Sequence, residues 1–199
     1  MTVARRTLLA LPWAVWAGPA RSGAQAEERL ADAVRGALSA AIAATAPPRP
    51  TFDRIEDRLA FLRWKAASSE RLRRYKSDAH VRDEFLDTLW YESRRAGLES
   101  ALVLGLIQVE SAFRKYAISV VGARGYMQVM PFWARLIGNG DVPRLFDMRV
   151  NLRFGCVILR HYLDIEQGDL FMALGRYNGS RGRPEYPNAV FAARERWRL

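Results

Sequence analysis

The run Ala101-Leu102-Val103-Leu104-Gly105-Leu106-Ile107-Gln108-Val109-Glu110 constrains this chain more than any other segment. It is almost wholly apolar, so it belongs in the middle of a core as a central helix or a buried strand. Its leucine content and the cap-like Glu99-Ser100 before it favour a helix. On a helical wheel Glu110 shares a face with Val103, Leu106, Ile107 and Phe113, since residues three and four apart are neighbours. The carboxyl therefore points at the core. Burying an ionised carboxylate is costly, and the usual response is a raised pKa. A Glu protonated near neutral pH is equipped to act as a general acid. The alternative is a Glu at the helix end that reaches solvent or pairs with Arg114.

Around this segment the signals are helical. Leu30, Val34, Leu38 and Ile42 recur at a helical period within residues 27–46, and Pro47-Pro48-Arg49-Pro50 ends that helix as a stiff linker. A second helix is expected from Asp53 towards Tyr75, with Ile55, Leu59, Leu62 and Trp64 inward. A third covers about 81–95 and stops at Gly97. Gly122 and Gly125 among β-branched residues predict a looped or short-strand segment over 118–130. Pro131 opens a short helix to about Ile137, Asp147 caps a long one over 149–166, another covers about 169–177, and Pro187 begins a last one to Trp197. The class is mainly α.

The first 26 residues have the pattern of an export leader. Arg5 and Arg6 precede an apolar stretch from Thr7 to Ala17, which is too short to span a bilayer at about 20 residues. Gly18, Pro19, Ser22 and Gly23 break it, and Ala24-Gln25-Ala26 reads as a cleavage signal, with the cut expected after Ala26, the alternative being an uncleaved N-terminal anchor helix that also exports the chain. The Arg5-Arg6 pair suits an ordinary leader and also a twin-arginine one. Removing the leader takes away Arg5, Arg6 and Arg21 and no acid, so the formal charge of +10 falls by three. Such a basic, exported chain meets cell wall and membrane surface before nucleic acid, and it carries no basic recognition stripe. The one cluster is Arg71-Leu72-Arg73-Arg74-Tyr75-Lys76. Cys156 is alone, so no internal disulfide forms, and its apolar neighbours mark it as a buried hydrophobe. His80 and His161 have no metal-ligand spacing. No metal or cofactor is called for.

Beyond Glu110-Ser111-Ala112-Phe113 come Ser119, then Gly122-Ala123-Arg124-Gly125-Tyr126-Met127-Gln128-Val129-Met130-Pro131, and later Arg176-Tyr177-Asn178-Gly179. With these three motifs in order, residues 85–185 resemble the soluble lytic transglycosylases, a bacterial family of lysozyme-like helical domains. The resemblance divides the chain into a leader at 1–26, a helical N-terminal extension at 27–84 and a lysozyme-like domain at 85–199. It implies peptidoglycan glycan strands as substrate, in the periplasm. It makes Glu110 the catalytic acid, which protonates the oxygen between N-acetylmuramic acid and N-acetylglucosamine. The muramoyl 6-hydroxyl then attacks the anomeric carbon and leaves a 1,6-anhydro end. In the family the same carboxylate serves as the base, and no other acid lies between Glu110 and Asp141.

By the same resemblance Ser119 contacts substrate, or is simply a polar turn residue. Gln128 and Met130 line the cleft; the Gln amide suits N-acetyl and hydroxyl groups, whereas a Met is often core filler. Tyr177 hydrogen-bonds the catalytic Glu, and Asn178 beside it is structural or in the cleft. Tyr126 replaces the more usual Leu, Gly179-Ser180 replaces Ala-Gly, and Arg176 replaces a small residue, which bears on cleft shape. A lysozyme of the same fold would need a second group to activate water. A wall-binding or assembly module would not need to keep its acid. The extension either packs on the domain or holds a cell-envelope protein partner.

Overall fold

The structure, a computed structural model, describes residues 25–43 and 50–199. Most of the expected leader, the end of the first expected helix and most of the proline linker lie outside these residues. Eight α-helices follow one another among them: α1 (Asp32–Ala43), α2 (Ile55–Leu72), α3 (Ala79–Arg95), α4 (Ser100–Ser111), α5 (Pro131–Leu136), α6 (Met148–Ile165), α7 (Leu170–Asn178) and α8 (Glu185–Glu195). A short 3₁₀ turn at Val142–Phe146 leads into α6. The expected mainly helical class is what the structure shows, and residues 117–130 form a turn-rich loop with two isolated bridges, Ile118 to Arg124 and Arg124 to Val129.

The apolar run forms α4, which is buried along nearly its whole length. A helix that is apolar all round has no solvent face and must sit at the centre. Val103, Leu104, Leu106 and Ile107 are fully buried, each contributing about 1.5–3 kcal/mol of apolar burial. Its main neighbour is α8. Gly105 makes this approach possible: a Cβ there would lie 2.6 Å from the Arg194 backbone nitrogen. α6 carries the other half of the core, capped as expected by Asp147, whose carboxylate accepts from Val150 N. The lone thiol of Cys156 is buried within it.

Two expectations change. Trp64 of α2 is buried as expected, but the rest of the inward stripe differs: Phe61, Ser68 and Leu72 are buried, while Ile55, Leu59 and Leu62 are exposed. The aromatic stripe wins because Phe61 packs edge-on and Trp64 tilted against Trp90 of α3, at ring-centroid distances of 5.1 and 4.9 Å, and large rings bury the most surface. α8 starts at Glu185, before Pro187. Pro187 sits in its first turn, where the missing N–H costs nothing.

The extension packs on the rest of the chain. Phe61, Trp64 and Leu72 belong to the same apolar cluster as α4. α1 lies more loosely, with Leu38 and Ile42 only half-buried against α6. The expected boundary at residue 85 falls inside α3.

Candidate active site

Glu110 is the penultimate residue of α4 and is 4% exposed. Neither bland alternative holds. The carboxyl does not reach solvent, and Arg114 instead donates to the Ser111 carbonyl. Glu110 Oε1 accepts a 2.5 Å hydrogen bond from the Tyr186 hydroxyl. Oε2 is buried without a partner. Burial pushes the carboxyl up to about 8, opposed by the Tyr186 hydrogen bond, which favours the ionised form. A protonated carboxyl with one oxygen braced and one free can present a proton to a reacting group.

The chain after Glu110 is strained. Ala112 and Phe113 both adopt left-handed backbone conformations, at φ 49° and 61°, and Gln128 does so at φ 48°. Non-glycine residues pay for this conformation, and it persists where surrounding packing enforces it. Phe113 is held by the rings of Tyr75, Phe85 and Trp197 and by Lys76, which donates to its carbonyl.

The loop 117–130 is fixed beside α4 by polar side chains reaching its backbone. Ser111 Oγ donates to the Tyr126 carbonyl at 2.7 Å. Asn151 of α6, fully buried, accepts from Met127 N and donates to the Arg124 and Leu145 carbonyls. Gly125 is required here, since φ is +75° and a Cβ would lie 2.4 Å from Asn151 Nδ2. These bonds satisfy loop groups that would otherwise be buried unpaired.

The residues singled out in the sequence divide. Tyr177 does not hydrogen-bond Glu110: its hydroxyl donates to the Met127 carbonyl at 2.8 Å. The partner of Glu110 is Tyr186. Tyr177 still lies near the acid, whose charge, after burial, helps hold the phenol well above its usual range. Gln128 is buried, and its amide nitrogen donates to the Gly125 and Ala117 carbonyls. That amide braces the loop, and the Gln128 main-chain carbonyl is left to accept from Gln25 Nε2. Met130 is half-buried at the end of the same segment. Ser119 uses its hydroxyl to accept from Ala123 N, closing a turn on the outer limb of the loop. Asn178 donates to Ser180 Oγ while its Oδ1 is buried without a partner.

Tyr186 was missed. It lies 76 residues from Glu110, and only the α4–α8 crossing joins them. Asn151 was missed too, although a polar residue on the apolar stripe of α6 was a visible signal.

The family model of the transglycosylase SLT domain matches residues 89–197, more than half of the chain. The chain belongs to that family. It is 33% identical over 103 residues to the transglycosylase of Enterobacteria phage PRD1, covering 52% of this chain and 37% of the phage protein. Membrane-bound lytic murein transglycosylase C of Mannheimia succiniciproducens is 39% identical over 80 residues, covering 36% of this chain and 22% of the relative. The Haemophilus influenzae protein of that name is 31% identical over 114 residues, covering 50% and 32%. The chain thus spans well under two thirds of the length of these relatives. The lytic transglycosylase Slt of Pseudomonas aeruginosa, solved as an inactive mutant, superposes with a TM-score of 0.45 at 23% identity, covering 70% of this chain and 27% of that one. Among the described residues no helix is long and apolar enough to cross a membrane.

Proposed function

We propose that this chain is a peptidoglycan lytic transglycosylase of the cell envelope, exported to the periplasm and cut after Ala26, with Glu110 as its catalytic acid and base. The observation that carries this reading is the Glu110 carboxyl itself: buried, raised to about 8, and braced on one side only. Protonated Glu110 gives its proton to the glycosidic oxygen between N-acetylmuramic acid and N-acetylglucosamine, and the bond from the anomeric carbon to that oxygen breaks. The muramoyl 6-hydroxyl then adds to the anomeric carbon and returns its proton to the Glu110 carboxylate. One carboxyl suffices because the sugar supplies its own nucleophile, unlike the two-carboxylate hydrolases. Tyr186 supports both halves by holding Oε1 and by donating to the carboxylate that forms.

The loop 117–130 is the wall of the cleft. Met130, the Gln128 carbonyl and Asn178 are its substrate-facing groups, Tyr177 fixes the wall, and Ser119 closes its outer turn. The relatives' names support murein as the substrate class. Mass spectrometry of a peptidoglycan digest by the chain processed after Ala26 is the test. Muropeptides with 1,6-anhydro ends, absent with Glu110→Gln, are the expected result. Reducing ends would make the protein a lysozyme. Binding without products would make it a wall-binding module.

A further inference from the structure

Gln25 is the one described residue of the leader whose side chain is buried, at 4% exposure. Its carboxamide sits on the cleft wall. Nε2 donates to the Gln128 carbonyl at 3.4 Å, and Oε1 accepts from Met130 N at 3.3 Å. The same carboxamide reaches Tyr177, whose hydroxyl is tied to Met127. The three residues it touches are thus three of those that the sequence motifs mark for the cleft.

We propose that Gln25 is an internal plug, which closes this cleft in any folded chain that retains its leader and leaves when the chain is cut after Ala26. The proposal rests on the glycan-cleaving role assigned to the cleft. A carboxamide offers one carbonyl acceptor and N–H donors, the same pairing that an acetamido group presents. Gln25 therefore uses the donor and acceptor that an N-acetylated sugar would need at this wall. Substrate and plug are mutually exclusive there.

The anchoring of the segment explains why a single cut is enough. Ala26, Glu27, Glu28 and Arg29 are exposed, so the bond after Ala26 lies in the open. Downstream, Glu28 pairs with Arg176 at 2.6 Å and Leu30 packs on the core. These contacts hold the segment on the domain whether or not the leader is present. Among the described residues that anchor this segment, Gln25 is the one on the leader side of the cut. Its two hydrogen bonds are long, and they persist because the tether keeps the carboxamide at an effective concentration on the order of millimolar. Once the tether is cut, that advantage is lost and the plug diffuses away. A precursor is thereby kept closed, and the processed chain is open.

Three preparations test this: the full chain produced without export and held in detergent micelles, the same chain with Gln25→Ala, and the full chain cut by signal peptidase after Ala26. Two readouts are followed, amide hydrogen exchange at Met130 and release of muropeptides from purified peptidoglycan. The expected result is a Met130 amide that exchanges at least tenfold more slowly in the uncut wild type than in the other two. Muropeptide release by the uncut wild type is expected to be at least tenfold slower than by either. Equal exchange in all three, or an uncut wild type that turns over as fast as the cut chain, overturns the plug. A difference in exchange with no product from any preparation supports the plug and overturns the reaction proposed for Glu110.

Discussion

Two glutamates lie in the interior of this protein under opposite conditions. Glu92 of α3 is 1% exposed and is held between two cations. Its Oε1 meets Arg153 of α6 at 2.8 Å and its Oε2 meets Arg95 at 3.3 Å. Glu110 of α4 is 4% exposed and faces only a tyrosine on one oxygen and nothing on the other. Burial is the same, and the partners differ. A buried carboxylate with guanidinium partners is a clamp between helices, and its charge is neutralised where it stands. A buried carboxyl with no cation keeps its proton instead, and that proton is available for chemistry. The charge environment at the acid, not its burial, separates the structural glutamate from the reactive one.

The widest contrast comes from making each acid an amide. Glu110→Gln is expected to lower muropeptide release by at least about 10³-fold, in line with the upper range for general acid catalysis, as read by quantifying digest products over time. The same substitution leaves the fold in place and removes a pH dependence. Because the folded-state carboxyl lies at about 8, above its usual 4.5, the stability it contributes is complete below about 4.5 and is lost as pH rises through about 8. Wild type should therefore lose stability relative to Glu110→Gln between these limits, by about 4 kcal/mol at the alkaline end. Denaturant midpoints at pH 5 and pH 9 check this, and parallel curves for the two proteins would mean that the acid is already ionised in the native state.

Glu92→Gln should do the reverse. It leaves Arg95 and Arg153 facing a neutral amide in the interior, which costs about 3 kcal/mol of stability and shows as a lowered urea midpoint. Activity per folded molecule should be unchanged. A variant with native stability and impaired turnover would place Glu92 in the chemistry and dissolve the contrast.

How far these two acids could be told apart in the sequence depends on range. Glu110 stood out because its partners in burial are local: Val103, Leu106, Ile107 and Phe113 lie within a few turns of the same helix. Asp147 at the start of α6 and the glycines of the 118–130 loop were legible for the same reason, as each acts on its own backbone. The inward face of α2 was not, because its aromatic stripe wins only when Trp90 of another helix is there to receive it. Tyr186 was hidden by a similar cause. Its place beside Glu110 depends on how closely α8 crosses α4, which Gly105 sets against the backbone of Arg194. The motif around Tyr177 drew the hydrogen bond to the wrong phenol, since both tyrosines lie close to the acid and only three-dimensional geometry says which hydroxyl is turned to it.

The smallest expected effect therefore carries the sharpest distinction, and it lies between these two phenols. Tyr186→Phe removes a hydrogen bond that favours ionised Glu110. The acid should then hold its proton to higher pH, so the alkaline limb of the activity profile moves up. The carboxylate formed after proton transfer is less well held, so the rate on the plateau falls about tenfold, as expected for a charge-assisted hydrogen bond of about 1.5–3 kcal/mol that is only partly replaced. Tyr177→Phe releases the Met127 carbonyl instead. It loosens the cleft wall, raises KM, and leaves the alkaline limb where it was, because no bond to Glu110 is lost. Pairing the two pH profiles separates a tyrosine that positions the acid from one that positions the loop. If the limb moves with Tyr177→Phe and stays with Tyr186→Phe, the assignment of the two hydroxyls is reversed.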